Sequence, residues 1–320
     1  PNSRSQYKEL FAAAGSSFFI IAEIKKMNVG KIIGIACAIF AGIKSVWALE
    51  QISVSENIAV AVSGAKADIG VAYADSSGYW QSNNRKYPLL SVFKLHVAVA
   101  VLARADKENM PLDTLVNVSA AEINKDMYSP MLQKYGVENF SLPLHELLRY
   151  MVAESDNNAC DILIRRLGGI KAVAAYIRKI GLPETEIKVT EAEMNEDVML
   201  QYANRAPLSE IIKLLQLIQN EKLFSASLHK ELLKIMTQTS TGADKIKKYL
   251  PEDMIVAHKT GSSSRLPNGQ KIADNDVAII KNGDDISYLA VMVADSSASD
   301  KENAETIARI AKALSDSPEN

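Results

Sequence analysis

The sequence predicts an α/β protein of the α+β kind: an antiparallel sheet built from both ends of the chain and flanked by helices, with an all-helical subdomain inserted at about residues 88–240. Three observations predict it. A strand-like run, Ile69-Gly70-Val71-Ala72-Tyr73, lies early, whereas Met254 to His258, Val277 to Ile280 and Tyr288 to Val293 lie late. Turn signals at Pro267-Asn268-Gly269 and Asn282-Gly283 separate the late runs, and strands joined by tight turns pair antiparallel. Between the two groups the pattern is helical, so the early strand has to rejoin the late ones across an insertion. The closing segment from Glu302 to about Leu314 carries Ile307, Ile310 and Leu314 at helical spacing and should pack on the sheet.

The 320 residues are 48% hydrophobic and 23% charged, an ordinary globular composition that allows a substantial core. A formal net charge of -2 supplies no broad positive field, which leaves nucleic acid and anionic membranes without support as partners. There is no internal repeat or low-complexity tract. The N-terminal part reads differently. Met27-Asn28-Val29-Gly30-Lys31 precedes an apolar run from Ile32 to about Ile43, and Val46-Trp47-Ala48 offers small residues for cleavage. Residues 27–48 are therefore read as a secretory signal peptide cleaved after Ala48, since spanning a bilayer needs roughly 18 to 20 apolar residues. Residues 1–26 read as upstream or cloning-derived sequence, and residues 49–320 as the folded domain. Cys37 falls inside the signal peptide, leaving Cys160 as a small buried core residue without an intramolecular disulfide.

The segment Tyr87-Pro88-Leu89-Leu90-Ser91-Val92-Phe93-Lys94 opens a largely apolar helix and puts a serine and a lysine on its first turn. Residues three apart share a face. A serine hydroxyl becomes a good nucleophile when a neighbouring base takes its proton, and a lysine withdrawn from water can be that base. Alone, Ser-x-x-Lys is weak evidence, because a capping serine with a snorkelling lysine looks the same. Ser155-Asp156-Asn157 and Lys259-Thr260-Gly261 follow downstream in that order, and chance is a poor explanation of all three.

With these motifs the chain resembles the class A serine β-lactamases over about residues 50–318, a serine β-lactamase/DD-peptidase-like fold. Its motif context is closest to the Bacteroides-type cephalosporinases. The resemblance implies hydrolysis of the β-lactam amide of penicillins and cephalosporins through an acyl-enzyme, and so antibiotic resistance, by a periplasmic and monomeric enzyme without metal or organic cofactor. It gives Ser91 the nucleophile's role and Lys94 that of its activator. Glu191-Ala192-Glu193-Met194-Asn195 looks like the family's Glu-x-x-Leu-Asn with methionine for leucine, which makes Glu191 the general base of deacylation and Asn195 the residue positioning the water. Ser155 would relay a proton to the departing nitrogen and Asn157 would hold the substrate's amide side chain. Lys259, Thr260 and Gly261 would receive the substrate beside a sheet edge, and Tyr128 would wall the cleft. The backbone N–H groups of Ser91 and Ser262 would form the oxyanion hole, a preorganised pair worth about 3 kcal/mol per donor removed.

Two departures stand out. Val189 occupies the place of an arginine that braces the glutamate loop in the family, so this loop must be braced differently. Lys245, in Thr241-Gly242-Ala243-Asp244-Lys245, stands where an arginine supplements binding of the substrate carboxylate, and a point charge does not replace the planar fork. His96, His145, His229 and His258 form no two-histidine pair, which leaves a zinc enzyme unsupported; His96 reads as packed in the helix after Ser91, and His258 as the end of the strand before Lys259. A penicillin-binding DD-peptidase shares the three motifs, and Glu191 with Asn195 argue against it; a drug-sensing domain that stays acylated would show a retained anchor and a long-lived adduct.

Overall fold

The computed structural model describes residues 56–315; the signal peptide read at 27–48, its cleavage after Ala48, Cys37 and the upstream stretch 1–26 lie outside them. After a helical segment at 56–61, strand β1 (Asp68–Ala74) turns back into β2 (Tyr79–Gln81), and β3 (Lys86–Pro88) leads through a 3-10 turn (Leu90–Val92) into helix α1 (Phe93–Lys107). The middle block holds β4 (Leu115–Val118), α2 (Pro130–Tyr135), β5 (Phe140–Pro143), α3 (Leu144–Ala153), α4 (Asn157–Arg166), α5 (Ile170–Lys179), α6 (Glu191–Glu196), β6 (Arg205–Pro207), α7 (Leu208–Gln219) and α8 (Ala226–Thr237). The chain then returns as β7 (Ile255–Ser262), β8 (Lys271–Asn282), β9 (Asp285–Ser296) and α9 (Asp300–Ser315).

The main sheet has the order β2-β1-β9-β8-β7, with every neighbouring pair antiparallel, so both chain ends build it as the early and late strand-like runs predict. Helices cover both of its faces, which is why β8 and β9 are buried along nearly their whole length and read as apolar runs with little alternation. On one face, Ile307, Ile310, Ala311 and Leu314 of α9 pack against Val71, Leu289, Val291 and Val293. On the other, Ala290, Met292 and Ile279 meet the helical block through residues such as Leu208, Ile211 and Leu215. The β8–β9 turn pairs Asn282 with Asp285, a two-residue hairpin whose first turn residue, Gly283, takes φ +59 at no steric cost.

The inserted block is not all helical. Within it β4 pairs with β5, and β3 pairs with β6 where the chain leaves the sheet region and returns. Strands of three and four residues, with prolines at 88, 143 and 207, are too short for alternation to reveal them. The late strands also outrun their apolar cores: β7 continues past His258 through Lys259, Thr260 and Gly261 to Ser262. Polar residues that are buried here hide the strand from a hydrophobicity reading.

Gly70 has a role that no other residue could fill. A Cβ there would lie 2.3 Å from the Tyr87 ring, so the bare backbone of β1 is what lets that fully buried ring lie against it. The Tyr87 hydroxyl donates to Asp68 and accepts from Asn83, and this fixes the approach to Ser91.

Candidate active site

Three contacts hold the segment before Ser91. Asn275 of β8 donates through Nδ2 to the carbonyls of Pro88 (2.8 Å) and Leu89 (3.2 Å), and the Leu89 N–H donates to the Asn204 carbonyl. Gly261 of β7 approaches so closely that a Cβ would fall 2.5 Å from the Leu89 carbonyl and 3.1 Å from the Ser91 nitrogen. The KTG strand thus lies directly against the serine turn. Leu90, next to Ser91, is held at φ +46, a left-handed conformation a leucine rarely adopts.

Helix α1 begins at once, and Lys94 on its first turn is completely buried. Its ammonium is the hub of the site. It donates to Ser91 Oγ at 2.9 Å, the Ser155 carbonyl at 2.7 Å and Asn157 Oδ1 at 2.6 Å, and it pairs with Glu191 Oε1 at 2.8 Å. Ser91 Oγ itself reaches Glu191 Oε1 at 3.5 Å. A buried ammonium is tolerable because each of these acceptors replaces a water.

The Ser155-Asp156-Asn157 triplet leads from the end of α3 into the first residue of α4. Ser155 takes φ +58, turning its carbonyl to Lys94 and its hydroxyl to Lys259, whose Nζ donates to it at 2.9 Å. Asp156, whose part the motif alone does not disclose, caps α4 by accepting from the Ala159 N–H, and its other oxygen accepts from Ser129 Oγ and the Met131 N–H. It therefore ties the Tyr128-Ser129-Pro130 turn to the triplet. The Tyr128 carbonyl accepts from the Asn157 N–H while its ring is 55% exposed, free to border a cleft.

Glu191 starts the short helix α6, and Val189 packs as a buried apolar residue two positions before it. Two side chains that sequence reasoning missed hold this loop. Asp161 of α4 accepts from the N–H groups of Glu191 and Ala192, both at 2.9 Å, and burial pushes its carboxyl up to about 6 against the pull of those two donors. Fully buried Asn204 accepts from the N–H groups of Lys188 (2.7 Å) and Val189 (3.1 Å) and donates to the Val189 carbonyl (2.8 Å). Hydrogen bonds to backbone do the bracing that a side-chain ion pair would otherwise do. Asn204→Ala should leave two N–H groups and a carbonyl unpaired and lower stability by about 3 kcal/mol in urea unfolding, with slower turnover. Asn204→Asp should not rescue it, since a carboxylate cannot donate to Val189. Asn195 lies exposed at the far end of α6, and no hydrogen bond joins its side chain to another described residue.

On the edge strand β7, Lys259 is fully buried and donates to Ser155 Oγ and the Thr260 carbonyl, both at 2.9 Å. Burial, then the charge of Lys94, holds its ammonium well below the usual lysine range. Thr260 Oγ1 shares a 2.6 Å hydrogen bond with Thr241 Oγ1. Lys245 comes to the same strand end, but its ammonium is paired with Asp274 Oδ1 at 2.5 Å and donates to the Asn275 carbonyl at 3.2 Å. The charge expected to be available to a substrate is thus already shared with an acid of the chain. Among the histidines, His96 is buried in α1, where burial lowers its imidazole to about 4, and His258 lies inside β7 with its Nδ1 3.0 Å from Asp276. Cys160 is buried in α4, and burial pushes its thiol up, as expected of an inert core residue.

Chemically, the cluster offers a serine hydroxyl in contact with a buried lysine, a carboxylate within reach of both, and a second buried lysine bonded to a serine that could carry a proton. The arrangement suits attack on an acyl group followed by water-driven release. Comparison with known proteins agrees. The model of a family described as the beta-lactamase enzyme family matches residues 53–317. The chain is 38% identical over 283 residues to a β-lactamase of Bacteroides uniformis, covering 87% of this chain and 96% of that protein. It is 36% identical to the extended-spectrum β-lactamase PER-1 of Pseudomonas aeruginosa, covering 80% of this chain and 84% of the other. A solved class A β-lactamase from Bacteroides cellulosilyticus superposes with a TM-score of 0.80 at 38% identity, covering 82% of this chain and 96% of that one.

Proposed function

Because this chain belongs to the β-lactamase enzyme family, we propose that it opens the amide of penicillins and cephalosporins with Ser91 as nucleophile and Glu191 as the base that frees the product. The observation that carries this reading is the position of one ammonium, Lys94 Nζ, at 2.9 Å from Ser91 Oγ and 2.8 Å from Glu191 Oε1. Lys94, in its neutral form, takes the Ser91 proton as Oγ attacks the lactam carbonyl. The oxyanion formed is held by the N–H groups of Ser91 and Ser262, a pairing supported by the close packing of Gly261 on the serine turn. The lactam nitrogen leaves with a proton from Ser155 Oγ, beside Lys259, and Lys94 replaces it with the proton taken from Ser91. Glu191 then deprotonates a water that attacks the ester carbonyl, and Ser91 is restored. Asn195 helps to place that water once substrate occupies the cleft, Asn157 and Tyr128 receive the acyl side chain, and Thr260, Gly261 and Lys245 line the end that takes the carboxylate.

Secretion to the periplasm, with cleavage after Ala48, is supported by the apolar run at 32–43 and by the small residues that follow it. Among the described residues no helix is long and apolar enough to cross a membrane. We read the mature enzyme as a monomer of the cephalosporinase branch. Mixing the purified chain with a chromogenic cephalosporin should give sustained turnover. A single stoichiometric burst would instead mean an acylated sensor, and hydrolysis confined to D-alanyl peptides would mean a DD-peptidase.

A further inference from the structure

Lys245 is one end of a chain of charges that leads away from the site. Asp274 takes Lys245 on Oδ1 at 2.5 Å and Lys271 on Oδ2 at 3.3 Å; Lys271 also pairs with Asp300 at 3.1 Å, and Asp300 with Arg265. The first three members are almost completely buried, at 7%, 2% and 4% exposure. In this chain of contacts three cations meet two carboxylates. Its site-facing end is Lys245, whose stem lies within reach of the Thr260 side chain: a Cβ on Gly242 would touch both, at 2.5 Å from Thr260 Cγ2 and 3.4 Å from Lys245 Cδ. Asp274 stands opposite Ser262 in the β7–β8 register, one strand in from the edge where substrate would lie.

We propose that Asp274 is a specificity-determining positioning residue: it holds Lys245 beside Thr260 and, by competing for its charge, sets how strongly this end of the cleft attracts a substrate carboxylate, while Lys271 limits that competition from the other side. The inference rests on the proposed placement of the carboxylate near Thr260 and Lys245. Its physical basis is that one carboxylate oxygen serves each lysine, so the two ammonium groups share a single negative charge in a region from which water is largely excluded. Removing the acid's charge without its shape frees Lys245 toward solvent and substrate. Removing Lys271 gives the acid wholly to Lys245. The two substitutions must therefore act in opposite directions on anionic substrates and leave neutral ones alone.

The test compares a penicillin with its methyl ester on the purified chain. Asp274→Asn should lower KM for the acid by about fivefold and Lys271→Met should raise it by about as much, with kcat nearly constant and KM for the ester unmoved. A purely structural role predicts instead that both variants lose in the same direction and on both substrates; that result would overturn the inference. Should Asp274→Asn fail to fold, Lys271→Met decides alone, because a fall or no change in its KM for the acid overturns the inference equally. An acid-to-ester ratio that stays fixed across variants that still turn over refutes the role of Asp274 only. Loss of all turnover in the unsubstituted enzyme would refute the catalytic reading and this inference together.

Discussion

Glu191→Ala should acylate and then stall: mixed with a cephalosporin it is expected to accumulate a covalent adduct, visible by intact-protein mass spectrometry, while steady-state turnover falls by about 10³. The local geometry isolates this effect. Lys94 keeps its bonds to Ser91 Oγ, the Ser155 carbonyl and Asn157 Oδ1 when the carboxylate is gone, so the activated serine stays in place. The start of α6 also survives, because Asp161 holds it through the backbone N–H groups of residues 191 and 192, which alanine retains. What is lost is the carboxylate that would deprotonate water on the ester. Turnover at the unsubstituted rate would show that another group is the base, and absence of any adduct would make Glu191 indispensable to acylation as well.

How much of this was legible in the sequence differs by layer. The sheet built from both chain ends could be read because short strand-like runs and the turn residues at Pro267-Asn268-Gly269 and Asn282-Gly283 report backbone geometry directly. The β3–β6 and β4–β5 ribbons could not, since three or four residues carry no periodicity. The residues proposed to react were legible as motifs because such chemistry demands particular side chains at fixed places. The braces were not. Asp161 and Asn204 act on backbone N–H groups, which every sequence possesses, so no partner residue advertises them. One faint signal existed: Asp161 interrupts the otherwise apolar run Ala159-Cys160-Asp161-Ile162-Leu163-Ile164, and an acid buried in such a run needs donors. The sharing of Lys245 with Asp274 was likewise hidden, since it joins a residue outside the sheet to one inside β8, 29 positions apart, and only the folded chain brings them together.

Lys94→Met is expected to fail one step earlier than Glu191→Ala, giving no adduct and lowering kcat/KM by about 10⁴. Methionine has nearly the length of lysine and suits the fully buried helix face, so the loss falls on charge and proton transfer, with little loss of packing volume. Five acceptors lose their shared donor: Ser91 Oγ, Glu191 Oε1, the carbonyl and Oγ of Ser155, and Asn157 Oδ1. The buried Glu191 carboxylate then lacks its counter-ion, which should lower stability by about 3 kcal/mol and be read as a fall in Tm. Lys259 supplies a second readout. The positive charge of Lys94 is, after burial, the main influence lowering its proton affinity, so that affinity should rise when Lys94 becomes neutral. Rapid adduct formation by Lys94→Met would assign the activation of Ser91 to Glu191 directly, across the 3.5 Å that separates their oxygens. Slow or absent formation, beside a persistent adduct in Glu191→Ala, would divide the two half-reactions between two residues whose charged atoms lie 2.8 Å apart.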